Sequence, residues 1–260
     1  MGVAVSHILV TNDDGVAAPG IAALVEALSE RAEVTVIAPE RNWSASGHVK
    51  TMHRPLRVRE GRLLSGRAVL VTDGAPSDAI ALGLMGIVPD PVDLVVSGIN
   101  RGANVGSDLT YSGTVTAAME GAISRVPSFA ISLDTYEDGR DYGPAARFAA
   151  YLAQKVIAHG LPEGVLLNVN VPSIPEEDIQ GVEITRTGQR IYRDVLVVRE
   201  DPFGVPYYWI GGDPPTGVAD RGTDFGALAS GHISITPIKL DLTADGFLST
   251  LRSWAFEAWR

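Results

Sequence analysis

The sequence contains no cysteine, which excludes disulfides, thiolate metal sites and cysteine nucleophiles. No stretch approaches the roughly 18 apolar residues that a membrane-spanning helix needs, so no membrane role is expected. The N-terminus lacks a basic segment followed by a long apolar run and does not read as a secretory leader. A cytoplasmic setting is expected. Basic residues are short as well: 21 Lys and Arg against 31 Asp and Glu leave a formal net charge of −10. That balance disfavours coating nucleic acid, whose phosphates it repels. It still admits a small phosphorylated substrate, because one bound metal can reverse the sign of one pocket. Internal repeats and low-complexity linkers are also missing.

What is present is an ordinary globular composition, 45% hydrophobic and 20% charged over 260 residues, long enough for a sizeable core. Strand-like and helix-like segments alternate through the first two-thirds. Ile8–Thr11 precedes a helix near Pro19, whose stripe is Ile21, Leu24, Val25 and Leu28. Val34–Ala38 and Val69–Thr72 read as strands, and Ser77–Met85 as a helix. The unbroken apolar run in Asp93–Ser97 suits a strand buried on both faces. A helix from near Ser112 carries Val115, Ala118, Met119, Ala122, Ile123 and Val126 at helical spacing. Phe129–Leu133 and Val165–Val171 are strands around a helix over Pro144–Ala158. This rhythm predicts an α/β fold with a doubly wound, mostly parallel, Rossmann-like sheet.

After Pro172 the rhythm breaks. Val182–Thr187, Val195–Arg199 and Tyr207–Ile210 read as hairpin strands, His232–Pro237 as one more strand, and Phe247–Trp259 as a terminal helix. Residues 1–172 are therefore expected to form the core. Residues 173–260 are expected to add a β-hairpin and oligomerisation extension within a single domain. Trp254 and Trp259 read as packing or interface residues.

Thr11-Asn12-Asp13-Asp14-Gly15 follows the first strand directly. Adjacent carboxylates raise each other's proton affinity, and this pair stands at the carboxyl edge where an open α/β sheet binds ligands. A hard divalent cation relieves that arrangement. The plainer reading is an Asp-Gly turn capping the next helix. Asn100, just past a later strand in Gly98-Ile99-Asn100-Arg101-Gly102, could offer an amide oxygen to the same cation. Ser44 and Ser46 could complete an oxygen shell, and the residues alone do not choose between them. Ser112-Gly113-Thr114 opens a helix with free N–H groups and two hydroxyls, an anion cradle as well as an ordinary cap. His48 and His53 could exchange protons but also read as solvated loop residues.

In order along the chain, these segments resemble the SurE family, stationary-phase survival proteins that act as metal-dependent 5′/3′-nucleotidases. The motifs are Ile8-Leu9-Val10-Thr11-Asn12-Asp13-Asp14-Gly15, Ala38-Pro39 leading to Ser44-Ala45-Ser46-Gly47-His48, and Val96-Ser97-Gly98-Ile99-Asn100-Arg101-Gly102. Tyr111-Ser112-Gly113-Thr114-Val115, Asn168-Val169-Asn170-Val171-Pro172 and Ser234-Ile235-Thr236-Pro237 complete the set. The resemblance implies Asp13, Asp14, Ser44 and Asn100 as ligands of a divalent cation, Mn²⁺ or Mg²⁺. It implies Asn12, Ser112, Gly113 and Thr114 as substrate-binding residues, with Asp13 and Asp14 catalytic. It further implies a nucleoside monophosphate substrate, possible action on short polyphosphate, and a homodimer or homotetramer.

The expected reaction is phosphomonoester hydrolysis by direct water attack, with an aspartyl-phosphate route through Asp13 placed second. A Mg²⁺-binding receiver-like signalling domain is a rival, but it needs a lysine at a later strand end. The only lysines are Lys50, Lys155 and Lys239, and none follows a core strand suitably. A nucleotide-binding protein without turnover is the third reading.

Overall fold

The computed structural model describes residues 6–89, 91–212 and 216–256. The chain runs β1 (His7–Thr11), α1 (Pro19–Ser29), β2 (Glu33–Pro39), β3 (Val58–Arg62), β4 (Ala68–Thr72) and α2 (Pro76–Leu82). It continues through β5 (Leu94–Arg101), α3 (Gly113–Ile123), β6 (Ser128–Asp134), α4 (Gly143–His159) and β7 (Val165–Pro172). Short strands β8 (Val182–Ile184) and β9 (Arg190–Ile191) precede the hairpin β10 (Asp194–Glu200) and β11 (Pro206–Gly212). Then come β12 (Thr216–Gly217), α5 (Asp224–Ala229), β13 (Ile233–Lys239) and α6 (Asp245–Arg252).

The alternation of side chains along β1 separates the layers. Ile8 and Val10 join Ile21, Leu24 and Val25 of α1 and Ala145, Ala149 and Leu152 of α4 in one cluster. Leu9, between them, packs with Ile37, Ala79, Ile80, Val95 and Ala117 on the other face, under α2 and α3. Helices α1 and α4 therefore cover one face around β1, and α2 and α3 the other. Removing a fully buried side chain such as Leu9 would cost about 2–5 kcal/mol.

One sheet of nine strands has the order β3-β4-β2-β1-β5-β6-β7-β13-β8. The run from β4 to β7 is parallel throughout, while β3 and β13 join antiparallel. The fold is thus a doubly wound α/β sheet with an added β10–β11 hairpin, while β8, expected as a hairpin strand, instead joins the main sheet parallel to β13. From β1 the chain moves outward to β2 and β4 on one side and to β5, β6 and β7 on the other. The switch point lies between β1 and β5, and a ligand crevice opens beyond the carboxyl ends of those strands.

Several boundaries differ from the sequence reading. Strand β5 does not end at Ser97 but runs to Arg101, with a register shift between Ser97 and Asn100 against β6. Asn100 is consequently held in the sheet opposite Ser132 instead of in a loop. Edge strand β3 escaped notice because Val-Arg-Glu-Gly-Arg carries no apolar alternation. On α3 the end of the expected stripe is wrong: Ile123 is exposed, whereas Val115, Ala118 and Ala122 are buried. The terminal helix spans Asp245–Arg252, and Trp254 after it packs edge-on against Phe247. Trp259 lies outside the described residues.

Candidate active site

Asp13 and Asp14 leave the end of β1 through a turn that the chain braces from three sides. Asn12 Nδ2 donates to the Gly15 carbonyl at 3.0 Å. The Trp43 amide donates to the Asp13 carbonyl at 2.7 Å, and the Val16 amide to the Pro39 carbonyl at 2.8 Å. Gly15 adopts φ +91°, and a Cβ there would meet the Arg41 backbone at 3.0 Å, so this turn admits only glycine without strain. The loop after β2 is thereby fastened against the Asp pair, bringing Ser44 to it.

Asp13 is 3% exposed. The Thr114 hydroxyl donates to its Oδ1. Burial pushes its carboxyl up to about 6, with the Thr114 hydrogen bond opposing and the Asp14 charge adding to the rise. Asp14 is raised by burial too, against the pull of the Arg101 backbone amide, which donates to Oδ2 at 3.0 Å. Asn42 Nδ2 donates to the other oxygen at 3.3 Å. The Arg101 guanidinium pairs with Asp138 instead, and among the described residues no cationic side chain forms an ion pair with either acid.

Helix α3 meets this pair at its first turn. Ser112 Oγ accepts from the Val115 amide at 3.1 Å, the ordinary N-cap bond, and its own proton remains free to donate. Gly113 and Thr114 are the first helical residues, whose N–H groups have no carbonyl partner within the helix. A Cβ on Gly113 would lie 2.8 Å from Asp13 Cβ and 3.2 Å from Ser46 Oγ. The helix start and the carboxylate are in contact only because residue 113 has no side chain.

A cavity of about 790 Å³ opens over these groups. Asp13, Asp14, Ser44, Asn100 and Ser112 all line it. Asn100 Nδ2 donates to the Gly102 carbonyl at 2.7 Å, which leaves its Oδ1 as the unengaged end. Ser46 Oγ is buried without a partner against Gly113, and Asn12 Oδ1 is likewise buried and unpartnered. Asn12 sits behind the wall, bracing the turn. Among the described residues no three His, Asp or Glu side chains gather around one point. The donor set is two carboxylates with neutral hydroxyl and amide oxygens, which is what hard Mg²⁺- and Mn²⁺-type cations take.

Asn42 and the Arg101 amide were not legible as site groups, since Asn42 reaches Asp14 only through the folding of the loop after β2 and Arg101 only through the pairing of β5 with β1. His48 is not solvated freely: its Nε2 lies 3.1 Å from Glu120 Oε2, and Lys50 Nζ lies 3.1 Å from Oε1. His53 makes no such contact and stays exposed.

A family model described as Survival protein SurE matches residues 8–194. The chain belongs to the SurE family. A protein called 5′-nucleotidase SurE from Chloroflexus aggregans is 48% identical over 252 residues, 96% of this chain and 100% of its own. Another of that name from Herpetosiphon aurantiacus is 51% identical over 238 residues, 91% of this chain and 93% of its own. The crystal structure of a SurE protein from Aquifex aeolicus superposes with a TM-score of 0.80 at 38% identity. It covers 95% of this chain and 99% of that one. The SurE match spans all eight candidate residues and stops as β10 begins.

Proposed function

We propose that this SurE protein is a divalent-metal-dependent 5′-nucleotidase that hydrolyses nucleoside monophosphates to nucleoside and phosphate. The observation that carries the reading is the contact between the buried Asp13 carboxylate and the first turn of α3, with Asp13 and the N-cap Ser112 both lining one cavity at the switch point. A cation-binding group and an anion-binding group at that separation suit a metal–phosphate pair. The names of the relatives support a nucleotide as the phosphate's carrier.

Asp13, Asp14, Ser44 and Asn100 would hold the cation, Mg²⁺ or Mn²⁺. When bound, it supplies Lewis-acid polarisation of a phosphoryl oxygen and lowers the pKa of a water. Ser112 donates its hydroxyl proton to a phosphoryl oxygen, while the α3 N–H groups and helix dipole receive the others as charge builds. Water oxygen forms the new P–O bond, the ester P–O bond breaks, and the departing nucleoside oxygen takes up the proton water gives. The Thr114 hydrogen bond orients Asp13 and favours its ionised form against the opposing effect of burial. Asn12 acts from behind, fixing the turn. Asp13 and Asp14 are the residues on which turnover depends.

The receiver-like alternative loses ground here. Lys50 pairs with Glu120, Lys155 lies over the Tyr151 ring at 5.3 Å, and Lys239 ends β13; none lines the cavity. A homodimer or homotetramer is supported by the β10–β11 hairpin, which exposes Leu196, Tyr208, Trp209 and Ile210 together. Among the described residues no helix is long and apolar enough to cross a membrane.

The test is phosphate release by metal-stripped protein from a panel of 5′- and 3′-nucleoside monophosphates and short polyphosphate, before and after adding Mn²⁺ or Mg²⁺. Release from a 5′-monophosphate only with the cation is expected. Failure on every nucleotide with every cation would sink the proposal.

A further inference from the structure

The cavity extends well beyond the carboxylates and the helix start, and its outer wall comes from the extension. Arg190, Tyr192, Asp194 and Ile210 line it together with Asp108 and Tyr111 of the turn before α3. Asp108 ties the two parts together. Its carbonyl accepts the Tyr111 and Ser112 amides at 2.9 and 3.0 Å, shaping the approach to the phosphate-facing turn. Its carboxylate accepts the Tyr192 hydroxyl at 2.6 Å, and Arg190 Nε lies 2.9 Å from the other oxygen. Burial and that hydrogen bond push the Tyr192 phenol up to about 12, so it stays a neutral donor. Asp224, fully buried, fastens the same junction by accepting the Gly106 and Gly188 amides at 2.8 and 2.7 Å.

The charges of this wall are spent internally. Arg190 is neutralised by Asp108 and lies over the Phe225 ring at 5.4 Å, and Arg101 pairs with Asp138. Asp194 adds a negative charge. A second phosphate placed here would meet no unpaired cation among the described lining residues. What the wall does present beside Tyr136 is two exposed phenol rings next to Asp108: Tyr192, whose hydroxyl donates to the carboxylate, and Tyr111, whose backbone amide donates to the Asp108 carbonyl. Aromatic faces receive nucleobases irrespective of sequence, at about 1–3 kcal/mol per stacked base.

We propose that Tyr111 and Tyr192 form a base-stacking wall that makes this site select a phosphomonoester bearing a planar, uncharged nucleobase. The inference rests on the nucleotidase reading and names what that site recognises beyond phosphate. It places substrate discrimination on Tyr192, a residue supplied by the extension and set by the Asp108 link.

The experiment compares kcat/KM for adenosine 5′-monophosphate with that for ribose 5-phosphate, which lacks the base, in Mn²⁺-loaded protein. The parent is expected to favour the nucleotide by roughly 10-fold or more, the fold-change of one stacked base. Tyr192→Leu and Tyr111→Leu each shrink that preference several-fold, through KM for the nucleotide more than kcat. Tyr192→Phe, which keeps the ring, retains most of it. A parent without preference for the base, or a preference unchanged in both leucine variants, overturns the wall. Hydrolysis of neither substrate by the parent overturns the nucleotidase reading instead, and the wall with it.

Discussion

The inner end of the cavity is built from β1, β5 and α3, where Asp13 is 3% exposed and Thr114 not at all. The outer end comes from the extension, where Tyr192 is 41% and Ile210 83% exposed. Backbone fixes the inner groups: a strand end, a glycine turn and a helix start leave Asp13 no freedom. Side chains fix the outer groups, through one aspartate that holds a tyrosine and an arginine. On the proposed reading, chemistry belongs to the sheet edge and discrimination to the loops laid over it.

The sharpest way to break the inner arrangement is Gly113→Ala. The added Cβ would press on Asp13 and Ser46, displacing the carboxylate. Turnover should fall roughly 100-fold, the cost of misplacing a catalytic group by about 1 Å. Melting temperature should fall by a few degrees, because a Cβ 2.8 Å from the buried Asp13 Cβ forces the turn to shift. Steady-state kinetics beside thermal melting check this, and near-parental activity would refute the close contact.

A second prediction concerns proton linkage at the same end. Asp13 has its carboxyl at about 6 in the fold against an ordinary 3.8, so the folded chain holds the proton more tightly than the unfolded one. That contribution to stability is complete below about pH 4 and is lost as pH rises through 6, a difference of about 3 kcal/mol in metal-stripped protein. Parent melting temperature should therefore drop across that window, and Asp13→Asn should remove most of the slope. Equal slopes in both proteins would contradict the burial argument.

The smallest effect is expected at Glu120, which joins His48 and Lys50 to α3 at the far end of the loop carrying Ser44. Hydrogen bonding by His48, then by Lys50, holds its carboxyl below the usual range despite burial. Glu120→Gln should cost about 1–2 kcal/mol of stability and raise the Mn²⁺ concentration needed for half-maximal activity only a few-fold. A loss as large as that of Gly113→Ala would mean that the loop, and not the sheet edge, governs the chemistry.

The same contrast explains what the sequence made legible. The parallel core announced itself because buried strands such as Leu94-Val95-Val96 and stripes such as Ile21, Leu24, Val25 and Leu28 follow period rules. Asp13, Asp14, Ser112 and Thr114 stood out because each sits where an element starts or ends. Asn100 was found but misplaced, since Gly98 interrupts the apolar run of the strand, whereas β5 continues past it through a register shift between Ser97 and Asn100. Asn42, Glu120 and the Asp108–Tyr192 link were invisible, because residues 28, 72 and 84 positions apart are joined only by tertiary folding. Family motifs located the inner residues without explaining why Gly113 has no side chain; the contact with Asp13 supplies that reason.

The central claim is that Asp13 and Asp14, with Ser44 and Asn100, hold one divalent cation beside the start of α3. Calorimetric titration of Mn²⁺ into metal-stripped parent and Asp14→Asn protein, without substrate, tests it most directly. The account predicts one site per chain in the parent and an affinity at least 10-fold weaker in a variant that remains folded. Equal affinity in the two proteins would contradict it.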